Sequence, residues 1–236
     1  MNIVLLAEGE SFIPSSDDRA QHIRKILHMK EGDSFRAGII NGDIGKARIL
    51  SDTGDGISID FIPEYDGSKL YPLTLIVAQV RPICMRRILR EAVSIGIGRL
   101  ILPVSDLGER SYLSASLYRD GEYKDILLDG AMQSGQTGVS RTDLAGSVEE
   151  AISLLPSSGR RILLDNAISA VALSSMKLEG ESAVLAIGPE RGWSDRERKL
   201  FIDSGFEPAL LGSRILRTET AVPAASAVAL SLMGYI

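Results

Sequence analysis

Cysteine, histidine and aromatic residues are scarce in this chain of 236 residues, which has one cysteine, two histidines and one tryptophan. The single cysteine, Cys84, has no partner for an internal disulfide, and no cysteine and histidine cluster with metal-ligand spacing surrounds it. We therefore expect no metal, and we interpret Cys84 as structural. Long apolar runs are absent too. Runs such as 73–80 are far shorter than the roughly 20 residues that a membrane-spanning helix needs.

The chain also lacks an excess of basic residues, since 26 Lys and Arg stand against 31 Asp and Glu, a net charge of −5. This balance argues against a protein that coats nucleic acid through its overall field. Two local basic clusters exist, at His22, Arg24 and Lys25 and at Arg81, Arg86, Arg87 and Arg90. Each can contact phosphates, and each can equally be the solvated face of a helix. The first residues do not resemble a secretory signal, so we expect a cytoplasmic protein without a membrane partner.

The texture of the sequence changes near residue 70. Before it, short β-leaning runs separated by turn signals predict a small β-barrel or sandwich with one short helix at 21–28. The polar segment 63–72 is the expected linker. After it, apolar runs alternate with amphipathic segments, which is typical of an α/β domain with a mostly parallel sheet. We predict domains at 1–70 and 71–236.

The elements of the second domain can be placed from these patterns. Strands are expected at 73–80, 99–104, 161–165, 183–188 and 207–211, and helices at 85–95, 120–132, 147–155, 194–204 and 219–233. The helix at 194–204 has the clearest signals, because Ser194 and Glu197 form a capping box and Gly205 follows as a stop. The last helix is apolar almost all round, so we expect it to be buried, partly against a second copy of the chain.

Two charged, turn-rich loops interrupt this apolar sequence, the glycine loop at 188–192 and the segment Arg217-Thr218-Glu219. In a parallel sheet both lie beyond the carboxyl ends of strands, where ligands of α/β sheets bind. Glycines allow a ligand close to the backbone, and helix N-termini favour negative charge. Because an unpaired buried charge is costly, Arg217 is expected to pair with Glu219 or Glu190. Alternatively, the loops are ordinary turns, with Thr218 and Glu219 capping a helix and Arg217 exposed.

The segment 211–221, Leu-Gly-Ser-Arg-Ile-Leu-Arg-Thr-Glu-Thr-Ala, resembles a motif of the RsmE family, SPOUT-class methyltransferases that methylate uridine N3 in 16S ribosomal RNA. The run 22–33 resembles the family signature His-x-x-x-Val-Leu-Arg-x-x-x-Gly-Asp of a PUA-like RNA-binding barrel. The resemblance covers nearly the whole chain. It implies an α/β fold with a PUA-like β-barrel at 1–70 and a SPOUT trefoil-knot parallel-sheet domain at 71–236. It also implies a homodimer. Without it, an unknotted sheet would be predicted.

The resemblance further implies S-adenosylmethionine as the cofactor. The residues expected to hold it are Leu163, Leu164, Asp165, Ile187, Gly188, Pro189, Glu190, Gly192, Leu211, Gly212, Ile215, Leu216, Thr218 and Ala221. Contacts with 16S ribosomal RNA are expected from His22, Arg24, Lys25, Arg81, Arg86, Arg87 and Gln133. Uracil N3 must lose its proton before it attacks. The expected catalytic residues are Arg217, which would stabilise the anion or hold a phosphate, and Glu219 or Glu190, which would orient Arg217 or relay the proton.

Three departures from the family pattern leave alternatives open. Arg191 stands in place of a glycine, 132–136 read Met-Gln-Ser-Gly-Gln in place of Glu-Gln-Ser-x-Arg, and 94–96 read Ser-Ile-Gly in place of Glu-Leu-Gly. One alternative is a catalytically weakened or inactive RNA-binding or ribosome-assembly protein of the same fold. Another is a methyltransferase acting at a different RNA site. A third is an unknotted α/β protein that binds an anionic small molecule at Gly188, although it leaves the first domain unexplained.

Overall fold

The computed structural model describes residues 2–168, 170–178 and 182–236, with Leu113 described by its backbone alone. The chain divides into two compact units. One comprises the residues up to Lys69 together with Leu128–Val139, and the other comprises Leu70–Leu127 together with Ser140–Ile236. The segment Leu128–Val139 thus belongs to the same compact unit as residues that lie far from it in sequence. The functional division at residue 70 stays a prediction.

The first unit contains a curled mixed sheet and one helix. Its elements are β1 (Val4–Leu6), β2 (Phe12–Pro14), α1 (Asp18–Lys25), β3 (Ser34–Ile39), β4 (Asp43–Asp52) and β5 (Gly56–Asp66). The strand order is β1-β3-β4-β5-β2, with β1 and β3 parallel and the other neighbours antiparallel. Buried apolar side chains such as Ile23, Phe35 and Ile49 form its core. Asp17 caps α1 by accepting a hydrogen bond from the Arg19 amide at 2.8 Å.

The predicted linker at 63–72 is wrong over most of its length. Strand β5 continues to Asp66, and the next strand already begins at Tyr71. Pro63 suggested a break, but it lies opposite Gly45 beside a register shift of the β4–β5 ladder. A strand tolerates proline at such an irregularity because no regular ladder bond is required of its nitrogen.

The second unit is built on a parallel sheet. Its elements are β6 (Tyr71–Val77), α2 (Pro82–Ile95), β7 (Ile97–Pro103), α3 (Ser116–Arg119), α4 (Tyr123–Ser134, ending in the first unit), β8 (Arg141–Ala145), α5 (Val148–Ser153), β9 (Arg160–Leu164), β10 (Val171–Ala172), β11 (Ala183–Ile187), α6 (Asp195–Asp203), β12 (Glu207–Leu210) and α7 (Thr218–Leu232). Short 3-10 turns lie at Arg110–Ser114 and Leu173–Ser175.

The strand order of this sheet is β10-β12-β9-β11-β6-β7-β8, and every neighbouring pair is parallel. The predicted parallel sheet is therefore confirmed, and all its carboxyl ends lie at one edge. Trp193, Phe201 and Phe206 belong to its core. The Phe201 ring centroid lies 4.8 Å from that of Trp193 and 4.9 Å from that of Phe206. Strand β11 is buried along its whole length and has a strand on each side.

Helix α7 returns across the sheet. Strand β12 lies outside β9, yet α7 packs on α2 and also contacts β6, β11 and the turn at Leu173–Ser175. The chain after β12 therefore returns from the outer side of β9 to the middle of the sheet, where β11 and β6 lie. Within the described ranges, no helix is long and apolar enough to span a membrane. In the same residues, no group of three or more His, Cys, Asp or Glu side chains is placed to hold a metal ion.

Candidate cofactor and RNA site

A cavity, here called the strand-end cavity, opens at the edge of the sheet where β9, β11 and β12 end. It holds about 700 Å³ of space including its open mouth. From the predicted cofactor set, its lining contains Leu164, Asp165, Ile187, Gly188, Pro189, Glu190, Gly192, Leu211, Gly212, Ile215, Leu216, Thr218 and Ala221. It also contains Asn166, Trp193, Ala209, Leu210 and Arg214, which the sequence did not suggest. Leu163 is instead fully buried in the core, because successive strand residues point to opposite faces.

The glycine loop folds back on itself at the cavity. The Gly192 amide donates to the Pro189 carbonyl at 2.8 Å, and Gly192 has φ +72°. A side chain at Gly188 would begin 3.3 Å from the Gly192 backbone. Both positions therefore favour glycine, one for conformation and one for space. Arg191 is exposed and does not line the cavity, so its side chain does not obstruct the strand-end cavity.

A hydrogen bond joins the two loops that the sequence singled out. The Thr218 hydroxyl donates to the Gly188 carbonyl at 3.0 Å, and Thr218 is buried. This bond ties the first turn of α7 to the glycine loop. Just before it, Ile215 and Leu216 present apolar side chains at the cavity, and Ile215 is 86% exposed.

A buried ion pair joins Asp165, which lines the cavity, to Arg198 on α6. The Asp165 carboxylate accepts from Arg198 Nε and from the Ala167 amide, both at 2.7 Å, and its side chain is 3% exposed. Arg198 also contacts Asp195 at 2.8 Å, and its guanidinium lies beside Gly192. The pair therefore links the end of β9, the glycine loop and α6. Sequence reasoning missed Arg198, which stands in a charged run typical of a solvated helix face.

Glu197 is fully buried and fixes the start of α6. It accepts from the Ser194 amide and from the Asp106 amide, both at 2.8 Å. The Ser194 hydroxyl in turn donates to Asp106 at 2.6 Å. Hydrogen bonds from Arg196 and Ser194 lower the pKa of Asp106. The predicted capping box is confirmed, and it extends to the loop after β7.

The three expected catalytic residues do not form one cluster. The Arg217 side chain is exposed and makes no hydrogen bond or ion pair with any described residue, so the predicted pairing with Glu219 or Glu190 is wrong. Glu219 instead lies 3.6 Å from Arg87 and accepts a hydrogen bond from the Cys84 thiol, which together with burial raises the pKa of Cys84. Glu219 therefore contacts residues of helix α2. Glu190 is exposed and lines the strand-end cavity.

The predicted RNA-binding arginines lie at the start of α2, with Arg81 just before the helix and Arg86 and Arg87 in its first two turns. A hydrogen bond to Tyr112 and the nearby charge of Glu190 raise the pKa of Arg81. Arg86 is bonded to Glu122, and Arg87 contacts Glu219. Each arginine thus has an internal partner while remaining at least partly exposed.

The nominated residues of the first unit differ in availability. The Arg24 guanidinium is bonded to Asp52, to Ser15 and to the Thr53 carbonyl, so it holds the unit together. Burial lowers the pKa of His22, which favours its neutral form. Lys25 is exposed and bonded only to Gln21 among the described residues. Gln133, on α4, is exposed, and its backbone carbonyl accepts a hydrogen bond from the Asn2 side chain at 2.6 Å.

Comparison with known proteins accounts for this arrangement. The model of the RNA methyltransferase domain family matches residues 67–230. The ribosomal RNA small subunit methyltransferase E of Treponema pallidum is 38% identical over 242 residues, which cover 98% of this chain and 91% of the relative. The chain belongs to the ribosomal RNA small subunit methyltransferase E (RsmE) family. The ribosomal RNA small subunit methyltransferase E 1 of Borreliella burgdorferi is 29% identical over 236 residues, which cover 98% of each chain.

Solved structures support the same fold. An RsmE from Neisseria gonorrhoeae, bound to S-adenosylmethionine, has a TM-score of 0.83 at 23% identity and covers 99% of this chain and 98% of its own. A methyltransferase of Legionella pneumophila with the same cofactor has a TM-score of 0.81 at 18% identity and covers 98% and 97%. The predicted α/β fold class and the RsmE family are both confirmed.

Proposed function

We propose that this chain uses S-adenosylmethionine to methylate N3 of a uridine in 16S ribosomal RNA of the small subunit. Membership of the RsmE family supports an enzyme acting on ribosomal RNA, and two structures of the same fold hold this cofactor. The observation that carries the proposal is the strand-end cavity, where the glycine loop and the start of α7 are joined by the bond between Thr218 and Gly188.

The residues of the cavity fit the cofactor. Leu164, Ile187 and Leu210 supply apolar surface suited to a nucleoside. At Gly212 no atom lies within 4 Å of the position that a side chain would take, so the backbone is open to a ligand. When bound, S-adenosylmethionine supplies a methyl group on a positively charged sulfur. The work of the chain is to hold the target nitrogen in line with that methyl group.

The target nitrogen must also lose its proton. We propose that the Glu190 carboxylate accepts it, because Glu190 lines the cavity and forms no ion pair within the described residues. Glu219 is the weaker candidate, since Arg87 and Cys84 already contact it. The Arg217 guanidinium has no hydrogen-bond or ion-pair partner among the described residues and would stabilise the uracil anion or an adjacent phosphate. Proton transfer of this kind contributes on the order of 10²- to 10⁴-fold in rate.

RNA docking is proposed for two surfaces. Arg81, Arg86 and Arg87 form the first, in which Arg81 lies near the carboxylate of Glu190. Lys25 is the most available cation nominated in the first unit. Gln133 is a further exposed contact, whereas Arg24 and His22 are less suited because of their internal bonds and burial. Such contacts displace counterions, so RNA affinity should fall steeply with salt.

We also propose a cytoplasmic homodimer that pairs through α7 and the apolar residues near it. Ile215, Tyr235 and Ile236 are 86%, 38% and 63% exposed, which is costly for large apolar side chains in water. Analytical ultracentrifugation tests this proposal. A single species with the mass of two chains is expected, and a monomer at micromolar concentration would contradict it.

The activity is tested with purified protein, labelled S-adenosylmethionine, and either free 16S ribosomal RNA or assembled small subunits. Digestion to nucleosides and chromatography should place the label on N3-methyluridine. Glu190→Gln should lose at least about 100-fold in kcat while still binding the cofactor. Label on another nucleoside would favour a different RNA site, and RNA binding without transfer would favour the assembly protein.

A further inference from the structure

A second cavity lies at the same edge of the parallel sheet, where β6, β7 and β8 end. It holds about 750 Å³ including its mouth, and its lining includes Gln79, Val104, Arg110, Tyr118 and Leu144. The two cavities share no lining residue. Strands β11 and β6 are neighbours in the sheet, so the second cavity follows the strand-end cavity along one edge. This is the edge where ligands of parallel sheets bind.

Buried polar groups without partners mark the second cavity as a binding site. Gln79 is 6% exposed, and its Nε2 donates to the Leu102 carbonyl at 2.9 Å. That bond orients the amide and leaves Oε1 without a partner among the described residues. The hydroxyl of Tyr118, a residue 8% exposed, is likewise unpartnered there. Leaving such groups unsatisfied is costly, so two in the lining of one cavity indicate a ligand that satisfies them.

The chemistry of the second cavity fits a nucleobase. Gln79 Oε1 can only accept a hydrogen bond, whereas the Tyr118 hydroxyl can donate one. Burial raises the pKa of Tyr118, which keeps that proton in place. Val104 and Leu144 supply apolar surface for the faces of a ring. A neutral ring with an N–H beside a carbonyl, as in uracil or guanine, matches this set, and Arg110, exposed at the mouth, suits its phosphate.

We propose that the second cavity binds a nucleobase of the RNA substrate other than the one methylated. Its N–H donates to Gln79 Oε1, and its carbonyl accepts from Tyr118. The methylated base is excluded because Gln79 would occupy the N–H edge that must face the methyl group. One RNA strand then places neighbouring bases in adjacent cavities, so the second cavity selects sequence or local shape. This inference rests on the proposed action on RNA.

Tyr118→Phe tests the proposal because it removes only the hydroxyl. The KM for an RNA substrate should rise about tenfold, as expected for loss of one hydrogen bond in a desolvated site, while S-adenosylmethionine affinity and kcat are unchanged. The melting temperature should stay the same or rise, since an unsatisfied buried group is lost. Tyr71→Phe, the same change at the start of β6 and so at the opposite sheet edge, should leave KM unchanged. A lower melting temperature with an unaltered KM would indicate a purely structural tyrosine and overturn the proposal.

A binding measurement separates this proposal from the enzymatic one. The methyl NMR signals of Val104 and Leu144 should shift on titration with uridine or guanosine monophosphate, less with the cytidine and adenosine analogues, and not in Tyr118→Phe. Short RNAs should produce the same shifts at lower concentration. Absence of shifts with every nucleotide and RNA would overturn the second cavity even if the chain methylates RNA. Shifts without any methyl transfer would instead remove the proposed function and leave the cavity standing.

Discussion

The Thr218 hydroxyl donates to the Gly188 carbonyl across 3.0 Å, although the two residues lie 30 positions apart in the chain. Thr218 begins α7, and Gly188 begins the glycine loop after β11. Because both residues line the strand-end cavity, the bond sets the distance between two of its walls. The shape of the proposed cofactor site therefore depends on one side chain that packing alone would not require to be polar.

Thr218→Val keeps the shape of this side chain and removes the bond. The Gly188 carbonyl loses its donor, so S-adenosylmethionine should bind roughly fivefold to tenfold more weakly, as expected for a hydrogen bond of about 1 kcal/mol. Isothermal titration calorimetry measures the change. Thr220→Val, in the same turn of α7 but exposed, is the matched control. Equal affinities for both variants would show that the bond does not shape the site.

The glycine loop should tolerate change at Arg191 but not at Gly192. Arg191 is exposed and outside the cavity lining, so Arg191→Gly should keep cofactor affinity within about twofold, since surface substitutions have small effects. Gly192 has φ +72°, and Gly192→Ala should strain the loop by about 1 kcal/mol and weaken binding. The same calorimetric titration compares them. A large gain in cofactor affinity for Arg191→Gly would mean that the arginine obstructs the strand-end cavity.

The ion pair between Asp165 and Arg198 should contribute to stability mainly when one partner is lost. Arg198→Met leaves the nearly fully buried Asp165 carboxylate without its countercharge, which should cost about 3 kcal/mol of unfolding free energy. The double variant Asp165→Asn with Arg198→Met should regain part of that loss. Urea denaturation at neutral pH tests both. Equal stability of the single and double variants would contradict the pairing.

The Cys84 thiol should report on Glu219. The hydrogen bond to the Glu219 carboxylate and burial raise the pKa of Cys84, so Glu219→Gln should lower it towards the usual value of about 8.5. Because the folded pKa is the higher one, this contact stabilises the fold below about pH 8.5 and ceases to do so as pH rises through the folded value. The pH profile of alkylation by iodoacetamide should shift to lower pH. Glu91 is exposed on α2, the helix that carries Cys84. Glu91→Gln should therefore leave the pH profile of alkylation unchanged.

The sequence predicted the parallel sheet and most of the strand-end cavity because both depend on local signals. Strands such as β11 are continuous apolar runs, and the two loops follow strands directly. Strand β8 (Arg141–Ala145) was missed because it lies at the end of the sheet and carries Arg, Thr and Asp. An edge strand is partly exposed, so it lacks the apolar run that marks a central strand.

Long-range pairing explains the remaining differences. Glu219 and Arg217 are neighbours in sequence, which suggested a shared role, but α7 turns Glu219 towards Arg87 on α2. Arg198 pairs with Asp165 across 33 positions, and no spacing rule connects them. The second cavity likewise unites Gln79 and Tyr118, whose polar ends look ordinary in sequence. Such contacts follow from the strand order, which local patterns do not determine.

Nucleoside analysis of 16S ribosomal RNA from cells with and without this protein tests the central claim most directly. N3-methyluridine should be present in the RNA of cells that make the protein, absent when its gene is deleted, and restored by the wild-type chain but not by Glu190→Gln. An unchanged amount of N3-methyluridine after deletion would contradict the account.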